Sequence, residues 1–293
     1  MANDYTKIPL IVIVGPTASG KTSLAIKLAK KYKGEIICAD SRSVYKGMNI
    51  GTAKPNQKEQ CDVPHWGLDL VEPGEYFSVA DFKKYAIEKI DQIRSRGNVP
   101  FLVGGTGLYV DSVVFDYKFG PIADIELRTK LQHMEIIELH NYCIKNGIVL
   151  PENFKNKRYV IRSIERNGIK PEKLVRPMSN SIIVGITTNK DDLYNRIERR
   201  AEQLFASGVV EEAMSLSDKY GWDNEAMKSN IYPIIHQYLD SEIDYIEMKK
   251  KFVILDQRLA KRQLTWLKRN KFIQWLSVDD ANKYLSNQLA LLI

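Results

Sequence analysis

The chain has 293 residues, which is enough for about two domains. Hydrophobic residues make up 44% of it and charged residues 27%, a balance that excludes a disordered or low-complexity protein. The net charge of +7 favours a polyanionic partner, and no apolar run approaches the roughly 18 residues of a membrane span.

Cysteine usage argues against disulfides and against a zinc site. The three cysteines, Cys38, Cys61 and Cys143, are far apart and form no C-x-x-C pair. Cys61 and His65 lie close in sequence, but no second pair completes a metal shell. The apolar run near the N-terminus leads straight into a glycine loop, which predicts a core strand rather than a signal peptide. We therefore expect a reducing compartment, the cytoplasm.

The glycine loop is the strongest single feature of the sequence. A short apolar run, Ile11–Val14, is followed by GPTASGKT at 15–22, which fits G-x-x-x-x-G-K-[ST] and leads into an amphipathic pattern from Ser23. Glycines let backbone N–H groups surround phosphate oxygens, while Lys21 adds a positive charge and the Thr22 hydroxyl can reach a phosphate-bound Mg²⁺. This order predicts a phosphate-binding loop, against the alternative of an ordinary strand–turn–helix.

Strands that alternate with helices predict an α/β fold with a P-loop NTPase-like parallel sheet flanked by helices. The predicted strands are 8–14, 35–39, a short one around 66–70, 99–103 and 181–186. The predicted helices of this core are 21–32, 81–96 with Ser78 as its N-cap, 191–206 with Asp191 as its N-cap, 209–220 and 249–272.

Residues 118–178 interrupt the alternation, because strand signals disappear and two helices are predicted, over 125–144 and 156–167. We therefore expect a core made of residues 1–117 and 179–293, with a small helical insertion domain at 118–178.

The carboxyl ends of the strands carry the chemistry, since ligands of open parallel sheets bind there. The strand 99–103 ends in Gly104-Gly105-Thr106, without the acid that a kinase or triphosphatase normally places at such an end. Asp40 ends the second strand instead. It could hold water on Mg²⁺, act as a general base on a substrate N–H or O–H, or merely cap a helix. The Thr106 hydroxyl could bond the same nucleophile, or satisfy its own turn.

The C-terminal part of the chain concentrates positive charge. Residues 249–271 contain nine basic residues against one acid, Asp256. At helical spacing they predict one free basic face, made of Arg258, Lys261, Arg262, Thr265 and Arg269, and one apolar face, made of Phe252, Leu255, Leu259 and Trp266. The basic face fits nucleic-acid phosphates, and the alternative is an ordinary solvated surface.

Together, these motifs resemble the tRNA dimethylallyltransferases, which prenylate adenosine 37 beside the anticodon. The resemblance covers most of the chain, apart from 118–178 and 223–245. The segments that carry it, in order, are GPTASGKT (15–22), ADSRSVYKGMNIGTAKP (39–55), VPHWGLD (63–69), YFSVADF (76–82), FLVGGTGLYV (101–110) and AKRQLTW (260–266).

This resemblance implies that the loop binds the pyrophosphate of the co-substrate dimethylallyl diphosphate rather than ATP. It implies transfer of the dimethylallyl group to N6 of adenine in the tRNA anticodon stem-loop, with Asp40 as general base aided by Thr106. Lys21 and Arg200 would stabilise the leaving group, with Mg²⁺ on Thr22 and Asp40. The residues expected around the co-substrate are Gly15, Pro16, Thr17, Ala18, Ser19, Gly20, Lys21 and Thr22.

The resemblance also implies a tRNA surface around a channel that receives the extruded base. The residues expected there are Asp40, Ser41, Arg42, Ser43, Thr106, Arg128, Arg158, Arg162, Lys261, Arg262, Gln263, Thr265, Trp266 and Lys268. The chain departs from the family at Ser43, where relatives usually carry Gln, and at 228–233, where KSNIYP replaces a Gly-Tyr-containing segment.

Three alternatives remain open at this level. An adenylate isopentenyltransferase would prenylate free AMP or ATP, but it would need neither the insertion nor the basic helix. A P-loop kinase would need an acid after Val103, and an RNA-binding NTP switch would need no diphosphate chemistry. We expect the protein to act as a monomer and to have no membrane partner.

Overall fold

Parallel pairing of buried strands organises the larger part of the molecule. The computed structural model describes residues 8–120, 124–170, 172–228 and 231–291. Six parallel strands form one sheet in the order β3-β2-β4-β1-β5-β6. They are β1 Leu10–Val14, β2 Gly34–Cys38, β3 His65–Trp66, β4 Val99–Gly104, β5 Ser181–Ile186 and β6 Gln274–Leu276. The expected parallel α/β sheet is confirmed.

Helices cover this sheet and complete its core. Those of the same unit are α1 Lys21–Lys31, α2 Gln57–Asp62, α3 Val79–Ser95, α4 Gly107–Val114, α8 Lys190–Ala206, α9 Val209–Tyr220, α10 Tyr232–Leu239, α11 Tyr245–Leu267 and α12 Val278–Ala290. Buried residues of β1, α1 and α12 share one hydrophobic cluster. Among the described residues, no helix is both long and apolar enough to cross a membrane.

The chain divides into two compact units. One runs up to Val114 and resumes at Pro177, and the other is 115–176, where the sequence suggested 118–178. The second unit contains α5 Ile125–His133, α6 Ile136–Lys145 and α7 Lys157–Glu165. It has its own core, which includes Leu131, Leu139, Cys143 and Val160. In the first unit, Met178 N donates to Val114 O at 2.8 Å, so the chain leaves and returns at adjacent points.

Three predicted helix boundaries are wrong. The helix predicted over 125–144 is two helices, because Met134 is extended (φ −78°, ψ 146°) and Glu135 starts α6 through a capping box with Glu138. Helix α8 is capped by Asn189, whose side chain accepts from the N–H of Asp191, the predicted cap. Helix α11 starts at Tyr245 and ends at Leu267, five residues before the predicted end.

The loop between β2 and α2 is fixed by two charged side chains. Lys54, whose side chain is 2% exposed, donates to Tyr45 O and to Asp69 Oδ1. From the other side, Glu212 of α9 accepts the consecutive backbone N–H groups of residues 49–51 at 2.7–2.9 Å, as well as the Tyr232 hydroxyl at 2.9 Å. The loop is therefore held in one conformation although it contains no helix or strand.

Glu212→Ala should lower the free energy of unfolding by about 3 kcal/mol, because backbone N–H groups and a buried hydroxyl lose a charged acceptor. Urea denaturation measures this change. Glu211→Ala is the matched control, since Glu211 has the same charge in the same first turn of α9 but is exposed. Equal effects of the two substitutions would show that Glu212 does not hold the loop.

Candidate active site

The predicted phosphate-binding loop lies between β1 and α1. Gly20, in the left-handed region at φ 88°, precedes the first residue of α1, so the N-terminal end of the helix faces the loop. Ala18 is also left-handed, at φ 59°. Lys21 Nζ donates to Pro16 O at 3.1 Å, which folds the side chain back over the loop. The loop therefore offers backbone N–H groups, a helix dipole and one ammonium group to an anion.

Burial lowers the pKa of Lys21 to about 8, and the Asp40 carboxylate opposes that shift. An anion that enters beside Lys21 replaces lost hydration and favours the charged form of the side chain. The site is consequently prepared for a phosphate-bearing ligand.

One cavity of about 520 Å³ joins the loop to the carboxyl ends of β2 and β4. It brings together all four residues that the sequence singled out as catalytic, and it adds Phe252, Asp256 and Leu259 of α11. Those that bear on the chemistry are Lys21, Thr22, Asp40, Thr106, Arg200 and Arg262. Ser41, Arg42 and Ser43 also line it.

Asp40 and Thr106 meet across the ends of β2 and β4. Asp40 Oδ1 accepts from Arg42 N at 2.8 Å and from Ser43 N at 3.4 Å, which closes a turn after β2. The alternative in which Asp40 caps a helix is wrong, because the next helix along the chain is α2, which starts at Gln57. That turn leaves Oδ2 for another partner. Thr106 Oγ1 accepts from Ser41 N at 3.1 Å, and its own proton is not used in that bond. Both side chains thus shape the backbone and still line the cavity.

The long helix α8 delivers Arg200 to the phosphate loop. Arg200 Nη1 donates to the Thr17 hydroxyl and, at 2.7 Å, to Asp256 Oδ2. Asp256 lies on α11 and is 2% exposed. Sequence reasoning missed it, because it stood as the one acid in a basic segment. The signal that could have found it is its position four residues from Phe252 and Ala260, on the face that the structure buries.

That buried face corrects the predicted apolar face of α11. The fully buried residues are Met248, Phe252, Asp256, Ala260 and Leu267, whereas Leu255, Leu259 and Trp266 are only partly buried. The prediction was wrong because it assigned only apolar residues to the buried face of α11, so that Asp256 could not be placed on that face.

Helix α11 also contacts the glycine turn after β4. Gln263 Oε1 accepts from Thr17 N at 2.8 Å, and Trp266 Nε1 donates to Asp111 at 2.7 Å. A Cβ on Gly105 would lie 2.4 Å from the Gln263 amide, and one on Gly107 would lie 2.1 Å from the Trp266 ring. A side chain at Gly107 would therefore collide with the Trp266 ring, and one at Gly105 would displace the Gln263 amide that bonds Thr17 N.

Oxygen ligands for a hard cation are present but few. The Thr22 hydroxyl and the Asp40 carboxylate line the cavity beside the loop. In the described part of the chain, no three His, Cys, Asp or Glu side chains gather as a metal cluster. Because Mg²⁺ often binds through one or two protein groups plus substrate phosphates and waters, the pair fits a Mg²⁺ that arrives with its ligand.

Comparison with known proteins identifies the family. The model described as IPP transferase matches residues 43–270, and the model described as isopentenyl transferase matches residues 8–64. A tRNA dimethylallyltransferase of Acetivibrio thermocellus is 39% identical over 290 residues, covering 92% of each chain. The chain belongs to the IPP transferase family.

Other IPP transferases agree along nearly the whole length. A tRNA dimethylallyltransferase of Bacillus subtilis is 35% identical over 93% of this chain and 92% of its own. The crystal structure of a tRNA isopentenylpyrophosphate transferase from Bacillus halodurans is 34% identical, with a TM-score of 0.74 over 97% of this chain and 98% of that one. A eukaryotic dimethylallyltransferase acting on tRNA, 22% identical, shares the fold with a TM-score of 0.79 over 92% of this chain and 73% of its own.

The predicted basic face of this IPP transferase is exposed. Arg258, Lys261, Arg262 and Thr265 are all exposed on α11, and Arg269 and Lys268 follow its last residue. Arg262 also lines the cavity, so the basic face and the phosphate loop share one opening. Of the residues predicted to bind tRNA, Gln263 and Trp266 are instead seen in bonds within the protein.

In the insertion, two predicted tRNA contacts are engaged with a buried acid. Arg128 Nε and Nη2 donate to the two oxygens of Glu165 at 2.6 and 2.8 Å, and Arg162 Nη1 donates to the same carboxylate at 3.0 Å. The Glu165 side chain is 1% exposed, and its pKa is lowered because the arginine bonds outweigh its burial. Arg158 is exposed on the same helix as Arg162. The Arg128 bonds join α5 to α7, whereas the Arg162 bond lies within α7.

Arg128→Ala should destabilise the insertion by about 3 kcal/mol, because the buried Glu165 carboxylate loses its bidentate partner. Hydrogen exchange of amides in α5 and α7 measures this local effect. Lys130→Ala, an exposed change on the same helix, should alter exchange by less than about 0.5 kcal/mol. Unaltered exchange in Arg128→Ala would exclude the structural role.

Proposed function

We propose that this protein transfers the dimethylallyl group of dimethylallyl diphosphate to N6 of adenosine 37 in the anticodon stem-loop of tRNA. The proposal depends on one observation. The phosphate-binding loop and Asp40 line the same cavity, and the turn after β2 uses only Oδ1 of the Asp40 carboxylate. Family membership supports the same reaction class, because the curated relatives are named tRNA dimethylallyltransferases.

The reaction needs one proton acceptor and one anion site. The N6 nitrogen forms a bond to the allylic carbon while the bond from that carbon to the diphosphate oxygen breaks. The electron pair of the broken bond leaves with diphosphate, and an N6 proton passes to Asp40. The adenine amino group is a weak nucleophile, because its lone pair is delocalised into the ring, so an acceptor for its proton lowers the barrier. Thr106 would orient the amino group by accepting its second N–H, because the hydroxyl oxygen accepts from Ser41 N and has another lone pair.

Negative charge gathers on the diphosphate as the bond breaks, and the loop is arranged to stabilise it. Lys21, the N-terminal end of α1 and Arg200 surround that position. A Mg²⁺ held by Thr22 and Asp40 would add Lewis-acid stabilisation of the leaving group. Among the other loop residues, Ala18 and Gly20 would contribute backbone N–H groups, because Thr17 N already donates to Gln263, Ser19 N donates to Pro16 O, and Pro16 has no N–H.

The adenine must leave the RNA stack to reach Asp40, because base chemistry requires an extruded nucleotide. The cavity wall supports this route, since it includes Arg42 and Ser43 as well as Arg262 of α11. The exposed basic residues of α11 would hold phosphates outside the opening. We further propose that the insertion, through Arg158 and its neighbours, contacts the same tRNA, and that the protein works as a cytoplasmic monomer.

Two departures from the family bear on base recognition. Ser43 is buried, and its backbone N–H donates to Asp40 Oδ1. It would therefore help to position the Asp40 carboxylate rather than contact the adenine. The segment 228–233 includes Ser229 and Asn230, which lie outside the described residues, whereas Lys228 and Ile231 line the cavity.

The alternatives differ in substrate and in surface. Free AMP or ATP as acceptor would leave the basic face of α11 and the insertion without a role. A kinase would need an acid beside the phosphate loop at the end of β4, where Gly104-Gly105-Thr106 stands. An RNA-binding NTP switch would bind tRNA without prenyl transfer.

Mass spectrometry of tRNA incubated with the protein, Mg²⁺ and dimethylallyl diphosphate tests the function directly. The expected product is one added dimethylallyl group on adenosine 37, located by nuclease mapping. Prenylation of AMP but not of tRNA would favour the adenylate enzyme, and ATP turnover without a prenyl donor would favour a kinase.

Asp40→Asn should lower kcat by about 100-fold or more, because the amide keeps the turn but cannot accept the N6 proton. The dissociation constant for tRNA should change by less than about threefold, since the binding surface is retained. Single-turnover kinetics and filter binding separate the two quantities. Asp91→Asn, the same substitution at an exposed position on α3, serves as the control. A parallel loss of binding and turnover would contradict the role of Asp40 as base.

Arg262→Ala should weaken tRNA binding and reduce the slope of log affinity against log salt by about 1, as expected for one lost phosphate contact. Affinity is measured at several salt concentrations. Lys283→Ala, an exposed basic position on α12, should leave the slope unchanged. The same slope in Arg262→Ala and the wild type would place this face of α11 away from RNA.

A further inference from the structure

Asp256 is an unexpected group in a cavity built for an anion. It is 2% exposed, it lines the same cavity as Lys21, and it carries a carboxylate into the region where the diphosphate would sit. Like charges in a poorly solvated site repel strongly. A carboxylate here therefore weakens the hold of the cavity on diphosphate.

The carboxylate acts mainly on Arg200. Arg200 Nη1 is shared between Asp256 Oδ2, at 2.7 Å, and the hydroxyl of Thr17 in the phosphate loop. The guanidinium is thus held against the loop, and much of its positive charge is already balanced before any ligand arrives. A diphosphate must compete with Asp256 for the same cation.

Solvation supports this competition. Burial raises the pKa of Asp256, although Arg200 and Lys21 both act to lower it. The carboxylate consequently depends on its two cationic neighbours, and it resists any ligand that draws them away. Asp256 and Asp40 both attract Lys21, so the two carboxylates offset part of the positive charge around the phosphate loop.

Such a balance has a kinetic use. A product diphosphate held by Lys21, Arg200 and the loop without a counter-charge would leave slowly, and binding that is equal in ground and transition state does not raise kcat. We propose that Asp256 is a positioning residue that keeps Arg200 against the phosphate loop and, by competing for it, sets a weak affinity for diphosphate so that the product can leave. This inference rests on the proposed function, in which diphosphate is the leaving group.

The test compares Asp256→Asn with the wild type. Asparagine keeps the shape and an oxygen acceptor for Arg200 but removes the charge. Calorimetric titration with inorganic diphosphate and Mg²⁺ should show tighter binding, on the order of tenfold. Steady-state assays should show a lower KM for dimethylallyl diphosphate together with a lower kcat and stronger inhibition by added diphosphate.

Two controls distinguish this role from a structural ion pair. Glu247→Gln removes the same charge from an exposed position on α11 and should leave diphosphate affinity unchanged. Asp256→Thr, a second uncharged acceptor, should tighten binding as Asp256→Asn does, which keeps the test available if the asparagine variant misfolds.

Equal or weaker diphosphate binding by folded Asp256→Asn and Asp256→Thr, with the wild type binding normally, would overturn the inference and leave the proposed function standing. Failure of the wild type to bind diphosphate would instead remove the diphosphate cradle itself, and the inference with it.

Discussion

The site depends on the close approach of α11 to the turns that follow β1 and β4. One hydrogen bond, from Thr17 N to Gln263 Oε1, ties the phosphate loop to this helix. It forms because Gly105 and Gly107 leave room for the Gln263 and Trp266 side chains. The same approach brings Asp256 to Arg200 and Arg262 to the cavity, so that diphosphate chemistry and an exposed basic face arise from one helix.

Charge balance is the second constraint on the cavity. Lys21 and Arg200 are both in contact with the loop, and Asp40 and Asp256 stand against them. Cations alone would bind a diphosphate tightly before and after the reaction alike. Because each buried cation has an anionic neighbour, no charge of the described cavity residues is buried without a partner. A bound diphosphate would then replace the carboxylates as the partner of these cations.

Contiguous patterns in the sequence predicted the parts that local geometry determines. The phosphate loop, the parallel strands and the placement of Asp40 and Thr106 at neighbouring strand ends all follow from short motifs and apolar periodicity. The N-cap of α12, Ser277, whose side chain accepts from Asp280 N, is the same kind of local signal, although α12 was not predicted. Asn189 and Asp191 are both good caps, so the start of α8 could not be chosen from composition.

Long-range pairs could not be predicted in this way. Glu212 binds backbone N–H groups more than 160 residues away, and nothing near it in sequence marks that partner. From the sequence, Asp256 could not be distinguished from a solvent-exposed charge of the basic segment, because its partner Arg200 lies on another helix. The break at Met134 was hidden because Glu135 is an unusual cap. The insertion, by contrast, is joined to the sheet unit where Val114 and Met178 are already hydrogen-bonded, and it has a separate core. The insertion can therefore be replaced or shortened at this one junction without altering any strand of the sheet.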